Sequence, residues 1–164
     1  MATLATPLMT AEKFAAFVAL PENSSRWFEL EHGEIIELPP AKKPHGIVCV
    51  NIARILGNHS IATEAGYVTT NDAGFITERS PDSVRGPDVA YWNHAETVAA
   101  SETEYTDTPP VIAVEVLSPD DRVNRLNKKI SEYITSGVRG SLDHRPGSTR
   151  CLDSSGEWKS GPID

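Results

Sequence analysis

Apolar residues recur along this chain with two periods, and each change of period marks an element. Thr10 precedes Ala11-Glu12-Lys13-Phe14, and Phe14, Phe17 and Val18 then fall on one helical face. Thr10 reads as an N-cap, and Pro21 with the polar Glu22 to Ser25 ends the helix. Trp27 to Glu31 and Glu34 to Leu38 flank His32-Gly33, the pattern of a β-hairpin with glycine in its turn. Pro39, Pro40 and Pro44 mark a loop. From Gly46 to about Ile61, Val48, Ile52, Ile55 and Leu56 follow helical spacing. Short strands are expected at Gly66 to Thr69, Gly74 to Thr77 and Pro87 to Trp92. The polar, acidic stretch from His94 to Pro110 reads as a surface loop.

Val111 to Leu117 (VIAVEVL) is the most apolar run, and a nearly continuous run suits a strand covered on both faces. Ser118-Pro119-Asp120 caps an expected helix that carries Val123, Leu126, Ile130, Tyr133 and Ile134 on one face, with Gly137 as its C′ residue. After Gly140 the periodicity fails. Ser141 to Asp164 is rich in Gly, Pro, Ser and charge, the composition of a disordered or poorly packed tail. No internal repeat is present.

A chain of 164 residues fits one domain with a core of its own. Cys49 and Cys151 match no metal-ligand spacing and read as a small buried residue and a tail thiol. Trp27 and Trp92 read as core aromatics. The N-terminus has no basic leader and no apolar run approaches membrane-spanning length, so a cytoplasmic location is expected. A formal net charge of −8 argues against indiscriminate nucleic-acid binding. It leaves room for a local basic patch, and Arg122, Arg125, Lys128 and Lys129 form one, or else a solvated helix face.

Glu115 changes the picture most. It lies within VIAVEVL, where a carboxylate is costly to bury unless a cation or strong donors receive it. Asp88 stands at the entry to a neighbouring expected strand. Two such carboxylates can hold a hard divalent cation, which polarises phosphate and acidifies bound water. Lys129, on the next helix, can return to the same place to orient the water or neutralise charge. An ordinary ion pair around Glu115 is the competing explanation.

Asp88 in RGPDVAYW, Glu115 in VIAVEVLSPDDR and Lys129 in NKKISEYITSGV resemble the Uma-type (Uma-two) family of restriction-endonuclease-like proteins, within the PD-(D/E)xK nuclease superfamily. The likeness runs from about Thr10 to Val138 and takes in MTAEKF, FELEHGEIIEL, PHGIVCVNIARIL and DAGFIT in the family's order. It implies an α/β (α+β) fold, a restriction-endonuclease-like mixed central sheet flanked by helices, with an N-terminal helix and hairpin. It implies a Mg²⁺- or Mn²⁺-dependent endonuclease that hydrolyses DNA phosphodiester bonds. Asp88 and Glu115 would hold the metal, with the Val116 carbonyl assisting. The superfamily's usual lysine position, two residues after the glutamate, is Leu117 here, and the family draws its lysine from the following helix, which offers Lys129 ahead of Lys128. Glu29 resembles the family's N-terminal acidic position, a further metal or water ligand if it does not face solvent on its strand. His45 resembles a position at the start of the second helix and otherwise reads as a capping or loop histidine. Arg122 and Arg125 could contact phosphates. Family likeness also suggests a homodimer.

The chain departs from the family after SEYITSGV, where an apolar strand resembling WIIDP normally follows. Here Leu142-Asp143-His144-Arg145-Pro146 stands instead, and codons for these residues exist that read Trp-Ile-Ile-Asp-Pro when shifted by one base. The expectation is a restriction-endonuclease-like domain over residues 1–138 and an aberrant or disordered tail over 139–164, a frameshift product, with the C-terminal strand missing. The alternatives to an active nuclease are an inactive nuclease-fold binding protein or a non-functional product. A glycosidase-type pair of carboxylates is a third.

Overall fold

A computed structural model describes residues 8–71, 73–93, 105–117, 123–145, 148–153 and 158–160. Helix α1 (Ala11–Val18) starts where the sequence predicts, with the Thr10 side chain accepting from the Lys13 N–H. A hairpin follows, β1 (Trp27–Glu31) and β2 (Glu34–Leu38). His32 and Gly33 both take positive φ in its turn, the geometry of a two-residue hairpin loop, and glycine carries the second position without strain. Helix α2 spans Lys43–Thr63, longer at both ends than its apolar spacing predicts, because Pro44 sits at N1/N2, where its missing N–H costs nothing.

Strands β3 (Tyr67–Thr70), β4 (Phe75–Glu78), β5 (Ser83–Arg85), β6 (Val89–Trp92) and β7 (Ile112–Val116) come next, then helix α3 (Val123–Ser136). The expected cap at Ser118 to Asp120 lies outside the described residues, as does most of the expected loop, residues 94–104.

The strands form two sheets. One has the order β2-β1-β5-β4; the other joins β7, β6 and β3 to three C-terminal strands, β8 (Gly140–Arg145), β9 (Ser148–Asp153) and β10 (Trp158–Ser160). This corrects the expectation of a missing strand and a tail without regular structure. β8 lies parallel to β7 from Ile112↔Gly140 to Val116↔His144, connected through α3. The physical reason is that a ladder is made by main-chain groups, so a parallel neighbour can pair with β7 without the apolar residues expected there.

β7 is covered on both faces, which accounts for its unbroken apolar run. Val114 and Val116 pack with Val89 and Ile52 of α2, while Ala113 packs with Phe75, Trp92 and Tyr133 of α3. A third cluster, Phe14, Leu30, Ile76 and Val84, joins α1 to the smaller sheet. Trp92 is core as expected, but Trp27, at the start of β1, is 45% exposed and lines the cleft described below.

Candidate active site

Antiparallel register sets the two key carboxylates side by side. β6 pairs with β7 through Val89↔Val114 and Ala90↔Ala113, which brings Asp88, the residue just before β6, near Glu115 of β7. Both side chains line the same cleft. Asp88 is fixed there by the Val116 N–H, which donates to its Oδ2 at 2.6 Å. Glu115 is 8% exposed, and its charge is met from α3. Lys129 Nζ lies 3.0 Å from Glu115 Oε1 and 2.7 Å from Glu29 Oε1, and it donates to the Gly86 carbonyl at 3.0 Å. One turn on, the Tyr133 hydroxyl donates to Glu115 Oε1 at 2.7 Å.

Glu29 faces inward, not toward solvent: it is 3% exposed and accepts from the Gly86 N–H and from Arg85. Lys128 points elsewhere and pairs with Glu31 at the surface. Asp88, Glu115, Lys129, Glu29 and Val116 all line one cleft of about 1040 Å³, which also receives Arg54 and Arg125. The side chain of Val116 packs in the core, and its N–H, rather than its carbonyl, is the group seen to serve Asp88. Arg122 lies outside the described residues.

Four site residues carry weak or misleading sequence signals. Arg85, 2% exposed, pairs with Glu29, Glu31 and Glu132 at 3.1, 3.1 and 2.6 Å. It sits on a three-residue strand too short to show alternation. Tyr133 fits the helix's apolar row, which hides its hydroxyl's task. His45 lies inside the first turn of α2, not in a loop, with Nε2 3.2 Å from Asp88 Oδ1 and Nδ1 3.4 Å from the Cys49 Sγ. Cys49 is accordingly a half-buried cleft residue rather than an inert core one.

Burial dominates the electrostatics. It pushes the Glu115 carboxyl up to about 8; Lys129 opposes the rise, while the negative charges of Asp88 and Glu29 add to it. Burial alone would lower the Lys129 ammonium, but Glu115 and Glu29 outweigh it and raise its pKa. Burial likewise works against ionised Glu29, yet Lys129 and Arg85 hold its carboxyl below the ordinary value. The asymmetry has a simple origin. One lysine serves two carboxylates and lies closer to Glu29, and Arg85 is engaged by three glutamates. Around Asp88 and Glu115 the cleft therefore gathers carboxyl groups that Lys129 alone does not serve, and Glu115 answers by favouring its protonated form until a cation is supplied. That donor set suits a hard divalent cation.

A mixed sheet between α2 and α3, with paired carboxylates and a helix-borne lysine at the β6–β7 end, has the architecture of the nuclease-like α+β class. The sequence profile of the Uma2 family, described as "Putative restriction endonuclease", matches residues 14–142, and the chain belongs to that family. Among solved structures it is similar to one described as a "putative nuclease belonging to DUF820" from Anabaena variabilis ATCC 29413. That likeness has a TM-score of 0.73 at 16% identity and covers 88% of this chain and 80% of the other. No curated protein matches the chain.

Proposed function

We propose that this protein is a metal-dependent endonuclease that hydrolyses phosphodiester bonds in DNA, with Asp88, Glu115, Lys129 and Glu29 as its catalytic set. The observation that carries this reading is the convergence of Asp88, Glu115 and Glu29 on one cleft with Lys129 Nζ 3.0 Å from Glu115 and 2.7 Å from Glu29, where a bound cation would offset the clustered carboxylates. Asp88 and Glu115 would hold Mg²⁺ or Mn²⁺, with Val116 contributing from the main chain, and the ion would supply Lewis acidity and a more acidic water. Lys129 keeps its proton and presents a fixed positive charge at the carboxylates, suited to orienting water and offsetting charge as it develops on phosphate. Glu29 holds Lys129 in place from the other side. Arg125, exposed on α3, and Arg54, on α2, stand at the cleft for phosphate contacts. A homodimer is the working form that family likeness suggests.

The test is cleavage of duplex DNA with Mg²⁺ or Mn²⁺. Asp88→Ala and Glu115→Ala should each lower the rate by about 10²- to 10³-fold with unchanged circular dichroism. Undiminished cleavage by a folded variant would sink the assignment.

One observation favours a second reading, an inactive or frameshifted family member. Ser141, on β8, is fully buried, and its Oγ has no hydrogen-bond partner among the described residues. A buried orphan hydroxyl is what a strand built from out-of-frame residues would carry. Calorimetric titration with Mn²⁺ distinguishes the two, since an inactive site shows no binding that depends on Asp88 and Glu115. A gene sequence unable to encode Trp-Ile-Ile-Asp-Pro in another frame would dispose of the frameshift.

A further inference from the structure

His45 and Cys49 are four residues apart on α2, so their side chains rise from one face of the helix. That face meets the entry of β6, where Asp88 stands. One ligand atom from each of the three lies within 4.8 Å of the other two, and all three are only half-buried at the cleft wall. The set is a nitrogen, a sulfur and an oxygen. Hard-ion sites are built from oxygen alone, whereas imidazole and thiolate together select thiophilic ions. Asp88 Oδ2 is already oriented by the Val116 N–H, leaving Oδ1, the oxygen that faces His45.

We propose that His45, Cys49 and Asp88 form a binding site for a thiophilic divalent cation of the Zn²⁺ or Co²⁺ class, with a further position open to the cleft. Bonds to such an ion run about 2.3 Å from sulfur and about 2.0–2.2 Å from nitrogen and oxygen, so tetrahedral ligands stand somewhat closer together than the limit observed here. A small contraction and a turn of the imidazole, which lies between thiol and carboxylate, bring one ring nitrogen onto the ion. The Cys49 thiol binds as thiolate, and its proton passes to solvent. Asp88 is shared with the nuclease reading, so occupancy here takes that carboxylate from the hard ion. The site itself does not depend on that reading.

The probe is Co²⁺ alone, titrated into the full-length, metal-stripped, reduced protein and followed by absorption. Thiolate ligation gives a near-ultraviolet charge-transfer band that carboxylate ligation does not, so a hard-ion site at Asp88 and Glu115 is silent in this readout. The band should appear with wild type, Cys151→Ser and Glu115→Gln, and disappear with Cys49→Ser. His45→Ala and Asp88→Asn should weaken it strongly, and Zn²⁺ should displace Co²⁺ and erase it. No band with wild type, a band that survives Cys49→Ser, or one lost in Cys49→Ser but indifferent to both His45→Ala and Asp88→Asn would overturn the proposal. Circular dichroism checks each variant's fold, and Cys49→Ser, which exchanges one atom, keeps the test decisive if His45→Ala unfolds.

Discussion

Glu115 shows how a single residue can be both legible and costly. It could be read from the sequence because an acidic side chain inside VIAVEVL violates the pattern around it, and such violations need a partner. Lys129 ranks ahead of Lys128 only through the family resemblance, and helix phase supplies the physical reason: Lys129 enters the cleft while Lys128 reaches Glu31. Arg85, Tyr133 and Cys49 lay beyond pattern reasoning. An arginine in a short polar segment, a tyrosine in an apolar row and a cysteine in a helix each look ordinary until tertiary packing supplies their partners. Glu115 also makes a prediction at this scale. Its folded-state pKa of about 8 lies above the ordinary 4.5, so the fold prefers the protonated form. The corresponding stability is present in full below about pH 4.5 and is lost as pH rises through 8. In metal-free buffer with chelator, wild type should lose on the order of a few kcal/mol relative to Glu115→Gln between pH 5 and 9. Urea denaturation of both proteins across that range measures the difference, and a constant gap would show that Glu115 titrates normally.

At the scale of elements, α3 does two jobs through two rows of side chains. Lys129 and Tyr133, four apart, serve Glu115 across the larger sheet, while Lys128 and Glu132, also four apart, engage Glu31 and Arg85 of the smaller one. Arg85 is the joint between these elements, holding β1 through Glu29 and Glu31, and α3 through Glu132. Breaking a buried pair by removing one partner leaves uncompensated charge. Arg85→Met should therefore destabilise the protein by about 3–5 kcal/mol. It should also loosen Glu29, and with it the position of Lys129. A melting temperature within a degree of wild type would show that water or another cation takes over the guanidinium's place. The major elements were legible because long amphipathic helices and a hairpin turn leave strong periodic traces. β5 was not, because three residues cannot display a period.

The whole molecule turns on how the chain after α3 completes the larger sheet. Without β8, the β7 edge would expose main-chain groups and the apolar neighbours of Ala113 and Val138. The backbone of Gly140–Arg145 closes that edge and pairs in turn with β9. The sequence from Ser141 onward predicts a tail because it lacks apolar alternation, and pattern reasoning has no access to a ladder made by backbone alone. Ser141 is the polar position buried in this strand. It lies beside Ala113 in the parallel register, buried, with no partner for its hydroxyl among the described residues. An unpaired buried hydroxyl costs about 1–3 kcal/mol of desolvation, and a methyl group in the same space costs none of it. Ser141→Ala should thus stabilise the protein by about 1 kcal/mol and raise its melting temperature by roughly 2–4 °C, read by calorimetry. Because Ser141 does not line the cleft, cleavage measured well below the melting temperature should not change. A lower melting temperature would instead mean that the hydroxyl is satisfied in solution, and that β8 belongs to this fold as fully as β7 does.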